Sequence, residues 1–99
     1  MLELNKIQKH REICNKLNEL YKQKNESYGD SFEMTRKLLG KQTILVRLYD
    51  KVNRLYSLLG DKNVNQVYNE SVEDTLLDLA NYAILELIEL SNEKENSKC

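Results

Sequence analysis

This sequence of 99 residues is long enough for one small domain, because domains usually hold about 50 to 200 residues. It is 40% hydrophobic and 31% charged, with three glycines and no proline, which excludes a disordered, collagenous or turn-rich β chain. The net charge of −1 provides no overall field for a nucleic acid polymer. The charge is unevenly spread, since residues 70–90 contain six acidic and no basic side chains.

No export signal or membrane-spanning segment is apparent in the sequence. Residues 1–20 alternate charged side chains with single apolar ones, and no run of about 18 apolar residues occurs. Cys14 and Cys99 are too few for a disulfide framework and lack the spacing of a zinc site. We therefore expect a soluble cytoplasmic protein that has no membrane partner.

The N-terminal segment has the apolar spacing of one α-helix, predicted over residues 2–26. Its apolar stripe consists of Leu4, Ile7, Cys14, Leu17 and Tyr21. A turn at Gly29 follows, and Asp30 with an acidic residue three positions later has the form of a capping box. This box predicts a short second helix over residues 31–39, which Gly40 ends.

The third segment repeats apolar residues at steps of three and four, which predicts a helix over residues 42–59 with one packing seam. The seam consists of Leu45, Leu48, Val52, Leu55 and Leu59. Gly60 is expected to end this helix, and the polar segment from Gly60 to Asn69 is expected to be irregular.

A fourth helix is predicted from a cap at Asn69 or Ser71 to about Leu90. Its main face consists of Val72, Leu76, Leu79, Ala80, Ala83, Leu87 and Leu90. Further apolar surface lies beyond that face at Leu77, Ile84, Leu85 and Ile88. One small chain can hardly cover both sides. We therefore expect an all-α domain over residues 1–90, with four helices of which one is short, completed by oligomerisation through the C-terminal helix. Residues 91–99 are expected to be a flexible polar tail.

An acidic stripe runs along this fourth helix, because Glu70, Asp74 and Asp78 lie at i, i+4 and i+8. Like charges so placed repel each other, so the stripe favours a compensating cation, either Mg²⁺ or facing basic side chains. Asp78 also lies among leucines, where a carboxylate needs a partner. The candidate metal ligands are Glu70, Glu73, Asp74 and Asp78.

The third helix offers basic side chains, and two interpretations of them remain open. In the first, Lys51 and Arg54 bind the phosphates of a nucleotide directly, while the carboxylates bind them through Mg²⁺. In the second, Asp78 forms a structural ion pair with Lys51 or Arg54, and the first acidic residues of the helix are a solvated turn that complements the helix dipole.

The turn around Tyr28 is a second candidate site. Tyr28 could stack on a base, and backbone N–H groups at the start of the second helix could bind an anion. Alternatively, Gly29 makes an ordinary turn, and Tyr28 and Phe32 fill the core. Tyr82, one turn after Asp78, is placed to line the same pocket as Asp78.

Three motifs in this order resemble the nucleotide modification associated domain family, whose members are small all-α proteins common in phages. They are K-x-x-x-YG starting at Lys24, DKxxRL starting at Asp50 and ExxxDTLLDLANYA starting at Glu70. The resemblance covers about residues 20–90 and implies a nucleotide-associated role in the cytoplasm of a bacterial host. The ligand-binding residues that it implies are Lys24, Tyr28, Asp30, Lys51, Arg54, Asp78, Asn81 and Tyr82.

The sequence is more distantly similar to the all-α nucleotide pyrophosphohydrolases of the MazG and dimeric dUTPase kind. Those enzymes bind Mg²⁺ with an ExxE on one helix and an ExxD on the next. Glu70 and Glu73 match the ExxE, whereas no ExxD follows. Three functions stay open: a protein that holds a nucleotide or cyclic nucleotide immune signal without catalysis, a Mg²⁺-dependent hydrolase, and a plain helical interaction module.

Overall fold

The computed structural model describes the backbone of residues 2–25, 30–60 and 65–97, and the side chains of these residues except 2–4 and 65–71. In these stretches the chain forms α-helices and no strand, which confirms the all-α prediction. The four helices are α1 (Leu2–Gln23), α2 (Ser31–Leu39), α3 (Thr43–Gly60) and α4 (Asn65–Ser97). No described helix combines the length and the apolar character that crossing a membrane requires.

α1 packs against α4 through a small contact. Leu17 and Leu85 are buried and border the same narrow cavity between the two helices. The buried Asn81 donates a hydrogen bond from Nδ2 to the carbonyl oxygen of Leu17 (3.3 Å). α1 ends at Gln23, three residues before the predicted end. Cys14 is exposed, although it belongs to the predicted apolar stripe of this helix, because α4 covers only part of that stripe.

α2 has the predicted bounds, but it begins without the predicted cap. Asp30 has helical backbone angles and makes no capping hydrogen bond through its side chain, whereas a capping side chain needs a non-helical backbone. Phe32 is buried, and its ring centroid lies 6.0 Å from that of Tyr82 on α4. Gly40 ends the helix with a φ of 96°, and its N–H donates to the carbonyl oxygen of Arg36 (2.8 Å).

α3 and α4 form an antiparallel pair. Lys51 contacts Asp78, and Arg54 contacts Thr75, so residue numbers rise along one helix as they fall along the other. Only part of the apolar seam predicted for α3 lies in its contact with α4. Its half-buried members are Leu48 and Leu55. Its members that are at least half exposed are Leu45, Val52 and Leu59.

α4 is longer than the sequence predicts at both ends. Residues 65–69 are helical rather than irregular, and 61–64, the rest of that predicted segment, lie outside the described residues. Residues 91–97 continue the helix, so the prediction that it ends near position 90 is wrong. The extension is held by α2, because Arg36 donates a hydrogen bond from Nη1 to Oε1 of Glu93 (2.7 Å).

Few apolar side chains are buried within one chain. Among the described side chains, the buried hydrophobic ones are Leu17, Phe32 and Leu85, whereas sixteen large hydrophobic residues are exposed. The radius of gyration is 16.0 Å, compared with about 13 Å for a compact domain of 100 residues. The four helices therefore form an open arrangement in which many of the described apolar side chains face solvent.

Candidate functional site

Lys51 of α3 and Asp78 of α4 form the centre of the candidate site. Lys51 Nζ lies 3.2 Å from Asp78 Oδ2, and the two side chains are 26% and 29% exposed. One turn along the helix pair, Nε of Arg54 donates a hydrogen bond to Oγ1 of the buried Thr75 (3.2 Å). A step of about one turn on each antiparallel helix keeps the two contacts in register. The structure thus brings together Lys51, Arg54 and Asp78, three of the residues predicted from the sequence.

This cluster places two cations in reach of solvent beside a carboxylate. The ion pair is the contact that the structural interpretation predicts. It also holds the Lys51 ammonium one turn from the Arg54 guanidinium, and both groups donate the charge-assisted hydrogen bonds that phosphate oxygens accept. Lys51 and Asp78 are only partly buried, so both side chains are in contact with solvent.

Asn81 and Tyr82 flank Asp78 on two different sides of α4. The side chain of Asn81 is buried and bonded to the α1 backbone at Leu17, so it supports the docking of α1. Tyr82 is half-buried and packs its ring at 58° against that of Phe32 on α2. Of these two predicted ligand-binding residues, Asn81 therefore faces α1 and Tyr82 faces α2.

The second candidate site, the turn before α2, is described only at its ends. Tyr28 and Gly29 lie outside the described residues. Lys24 before the turn and Asp30 after it are both exposed. Asp30 borders an open depression of about 760 Å³ on the surface of α2, which Lys37 also lines. That volume lies within the range of about 300–1,000 Å³ usual for small-molecule sites.

The acidic stripe of α4 is spread along the helix surface. Glu73 and Asp74 are exposed, Asp78 contacts Lys51, and the side chain of Glu70 is outside the described part. Across the described residues, no three His, Cys, Asp or Glu side chains are grouped so that they could hold a metal ion. The magnesium set of Glu70, Glu73, Asp74 and Asp78 therefore stays a prediction.

A further charged cluster joins α2 to the second half of α4. The Arg36 side chain, 9% exposed, donates two hydrogen bonds to Glu86 and one to Glu93. The hydrogen bonds that Arg36 donates to Glu86 and then to Glu93 raise the pKa of Arg36, and the one to Glu93 lowers the pKa of Glu93. Lys41 adds a contact to Glu93 at 3.5 Å. This cluster was not predicted from the sequence, although Glu86 and Glu93, seven residues apart, share one helix face.

These features define a small all-α protein in which basic side chains of α2 and α3 contact acidic side chains of α4. A family model described as "Nucleotide modification associated domain 1" matches residues 24–90, which include α2, α3, the Lys51–Asp78 cluster and most of α4. The chain belongs to this family, as the motifs in its sequence predict. No curated protein and no solved structure matches it.

Proposed function

We propose that this protein binds a nucleotide or a nucleotide-derived ligand at the Lys51–Asp78 cluster and holds it without hydrolysis. The observation that supports the proposal is the position of Lys51 and Arg54, one turn apart and facing Asp78 and Thr75 at a partly exposed place in the α3–α4 contact. The description of its family concerns nucleotide modification, and the matched residues include this cluster.

The phosphates of the ligand would bind Lys51 and Arg54, since the planar guanidinium suits two parallel bonds and the ammonium acts as a point charge. Asp78 would keep the Lys51 side chain in place and accept a hydrogen bond from the sugar or base. Tyr82 and Tyr28 are the aromatic candidates for stacking on the base. A cyclic nucleotide immune signal has this chemistry, and its sequestration would take place in the cytoplasm of a bacterial host.

Calorimetric titration with nucleoside mono-, di- and triphosphates and with cyclic oligonucleotides, each with and without Mg²⁺, tests the proposal. A ligand at about 100 times its Kd should stabilise the fold by about 2.7 kcal/mol, which thermal unfolding detects. Lys51→Gln should lose binding, whereas Lys9→Gln, at an exposed lysine of α1, should retain it. Mass spectrometry should recover the ligand unchanged after denaturation. If no ligand raises Tm, the proposal is wrong and a helical interaction module remains.

Magnesium-dependent nucleotide pyrophosphohydrolysis is the alternative function. The observation that favours it is the exposure of Glu73 and Asp74, one turn before Asp78 on α4. Carboxylate oxygens are the ligands that Mg²⁺ prefers, and the ion would stabilise charge on a reacting phosphate. The described carboxylates are not gathered into one site, and Asp78 faces an ammonium group, so they fit a metal poorly. We therefore rank binding without hydrolysis first.

Self-association through α4 belongs to the same proposal. Leu76 and Leu87 on α4 are at least half exposed, although the sequence assigns both to the packed face. Leu85, on the side that the sequence assigns to oligomerisation, is buried and borders the cavity beside α1. Ile84 and Ile88, on the same side as Leu85, are still 41% and 40% exposed, so both apolar sides of α4 keep surface that another chain could cover. We propose neither a nucleic acid polymer nor a membrane as a partner of this protein.

A further inference from the structure

α3 and α4 each present a row of uncharged side chains, spaced at alternating steps of three and four residues. The eight large members of these rows are 37% to 81% exposed. We call the two rows together the open face, which consists of Leu45, Tyr49, Val52, Tyr56 and Leu59 on α3 and Leu76, Ala80, Ala83, Leu87 and Leu90 on α4. This spacing is the one through which α-helices pack against other helices in bundles and coiled coils.

Both rows lie on the same side of the helix pair. An α-helix turns by about 100° per residue, so each row lies roughly 120° around its helix from the residues that join α3 to α4. Because the two helices are antiparallel, these rotations bring both rows to one side. The residues of α4 that meet α1, Asn81 and Leu85, lie on the other side.

The exposed area of the open face is suited to a stable interface. A large apolar side chain carries on the order of 100 Å² of apolar surface, so the eight exposed ones present roughly 500 Å². Each partner in a standard protein interface contributes about 800 Å², part of which comes from backbone and polar rim atoms. The largest apolar patch on a typical monomer measures about 300–600 Å² and is often an interaction site, so the open face has the size of such a site.

We infer that a second copy of this chain packs on the open face, so that two α3–α4 pairs form a four-helix bundle. A two-fold axis needs a self-complementary surface, and two neighbouring antiparallel helices with matching spacing and no charge in either row provide one. The dimer also explains why one chain buries few apolar residues and has a large radius of gyration. Part of the hydrophobic core would lie between the two copies and not within one chain.

The open face is the surface through which the proposed self-association would take place, and this dimer does not depend on nucleotide binding. Lys51 and Asp78 lie at the α3–α4 contact, and neither belongs to the open face. A second copy on the open face therefore leaves them accessible to a ligand. Loss of the dimer and loss of nucleotide binding can thus be measured separately.

Light scattering of the whole chain at tens of micromolar tests the inference. The wild-type protein should have twice the mass of one chain. Val52→Glu and Leu87→Glu should each raise the dissociation constant more than 100-fold, because a charge would be buried without a partner. Leu38→Glu, at a more exposed apolar residue of α2 outside the open face, should leave the mass unchanged.

The melting temperature gives a second readout in case a separated chain unfolds. Tm of the wild-type protein should rise with protein concentration, and the milder Tyr56→Ser should weaken that rise while circular dichroism shows a helical protein. A wild-type monomer at tens of micromolar would overturn the inference. A dimer that both glutamate variants leave intact would also overturn it, because the contact would then lie elsewhere.

Discussion

Arg36 and Glu86 join α2 to α4 through two parallel hydrogen bonds, from Nε to Oε1 and from Nη2 to Oε2, each 2.9 Å long. The two side chains are only 9% and 14% exposed. A helix of nine residues such as α2 is not stable by itself, because helices shorter than about 12 residues are marginal in water. The position of α2 therefore depends on this ion pair and on the packing of Phe32 against Tyr82.

Replacing Arg36 by methionine should lower the free energy of unfolding by about 2–4 kcal/mol, because Glu86 would be left nearly buried without a partner. Urea denaturation followed by circular dichroism measures this loss. Lys37→Gln is the control, since Lys37 makes an exposed pair and its loss should cost less than about 1 kcal/mol. The double variant Arg36→Met, Glu86→Leu should recover part of the stability. The prediction would be contradicted if Arg36→Met lowered the free energy of unfolding by no more than the control substitution does.

Stability should fall in acid through Glu93. The pKa of Glu93 is lowered in the folded protein by the hydrogen bond from Arg36, whereas the unfolded chain has the ordinary value. The resulting stabilisation is therefore complete above the ordinary pKa of a glutamate and is lost as the pH falls through the lowered one. The pKa of Arg36 is raised, so this side chain stays charged throughout.

Urea midpoints at about pH 3, 5 and 7 measure this dependence. Glu93→Gln should reduce the loss of stability between neutral and acid solution. Glu12→Gln, at an exposed glutamate of α1, should leave the acid dependence as in the wild type. If the wild-type protein instead gained stability in acid relative to Glu93→Gln, the contact with Arg36 would not lower the pKa of Glu93 as described.

Asp78→Asn separates the two interpretations of the Lys51–Asp78 contact. In a ligand site this substitution should change stability by less than about 1 kcal/mol, because the pair is partly exposed, and it should weaken nucleotide binding at least tenfold. Calorimetric titration and thermal unfolding of the same sample measure both effects. Glu33→Gln on α2 serves as the control. A loss of several kcal/mol, with binding reduced only as far as folding, would instead identify a structural ion pair.

Incubation with the four deoxynucleoside triphosphates and Mg²⁺ or Mn²⁺ tests whether the protein is an enzyme. We expect no monophosphate beyond one equivalent per chain, because Asp78 of the acidic stripe pairs with the Lys51 ammonium and is therefore poorly placed to hold a metal ion. Chromatography of the products, after removal of the protein, measures turnover. Multiple turnovers that Glu70→Gln or Asp74→Asn abolishes would refute binding without hydrolysis and establish the hydrolase.

The helices themselves could be predicted because their signals lie in neighbouring residues. The bounds predicted for α2 are correct, although the capping box that predicted its start does not form, and Gly40 ends the helix as predicted. The C-terminal end of α4 could not be predicted in this way. Glu93 is held by Arg36, which lies 57 positions earlier, and no local pattern records a contact between residues so far apart.

The same limit applies to faces and to the candidate site. Periodicity shows that Leu76 and Leu87 share a face, but it does not show whether another element covers them. The pairing of Lys51 with Asp78 could be predicted from the sequence, because opposite charges on consecutive helices favour it. The contact of Asn81 could not be predicted in this way, because its partner is a backbone carbonyl oxygen of α1, and every residue has such an oxygen.

Gly40, between α2 and α3, has φ 96° and ψ −175°, a backbone conformation that other residues avoid, and a Cβ there would lie 3.0 Å from Oε1 of Gln42. At Gly60, the last residue of α3, a Cβ would meet open space. In a library of random variants selected only for folded protein, position 40 should retain glycine, whereas position 60 should accept alanine. Invariance at position 40 would then reflect the geometry of the α2–α3 corner, and it would carry no information about a ligand.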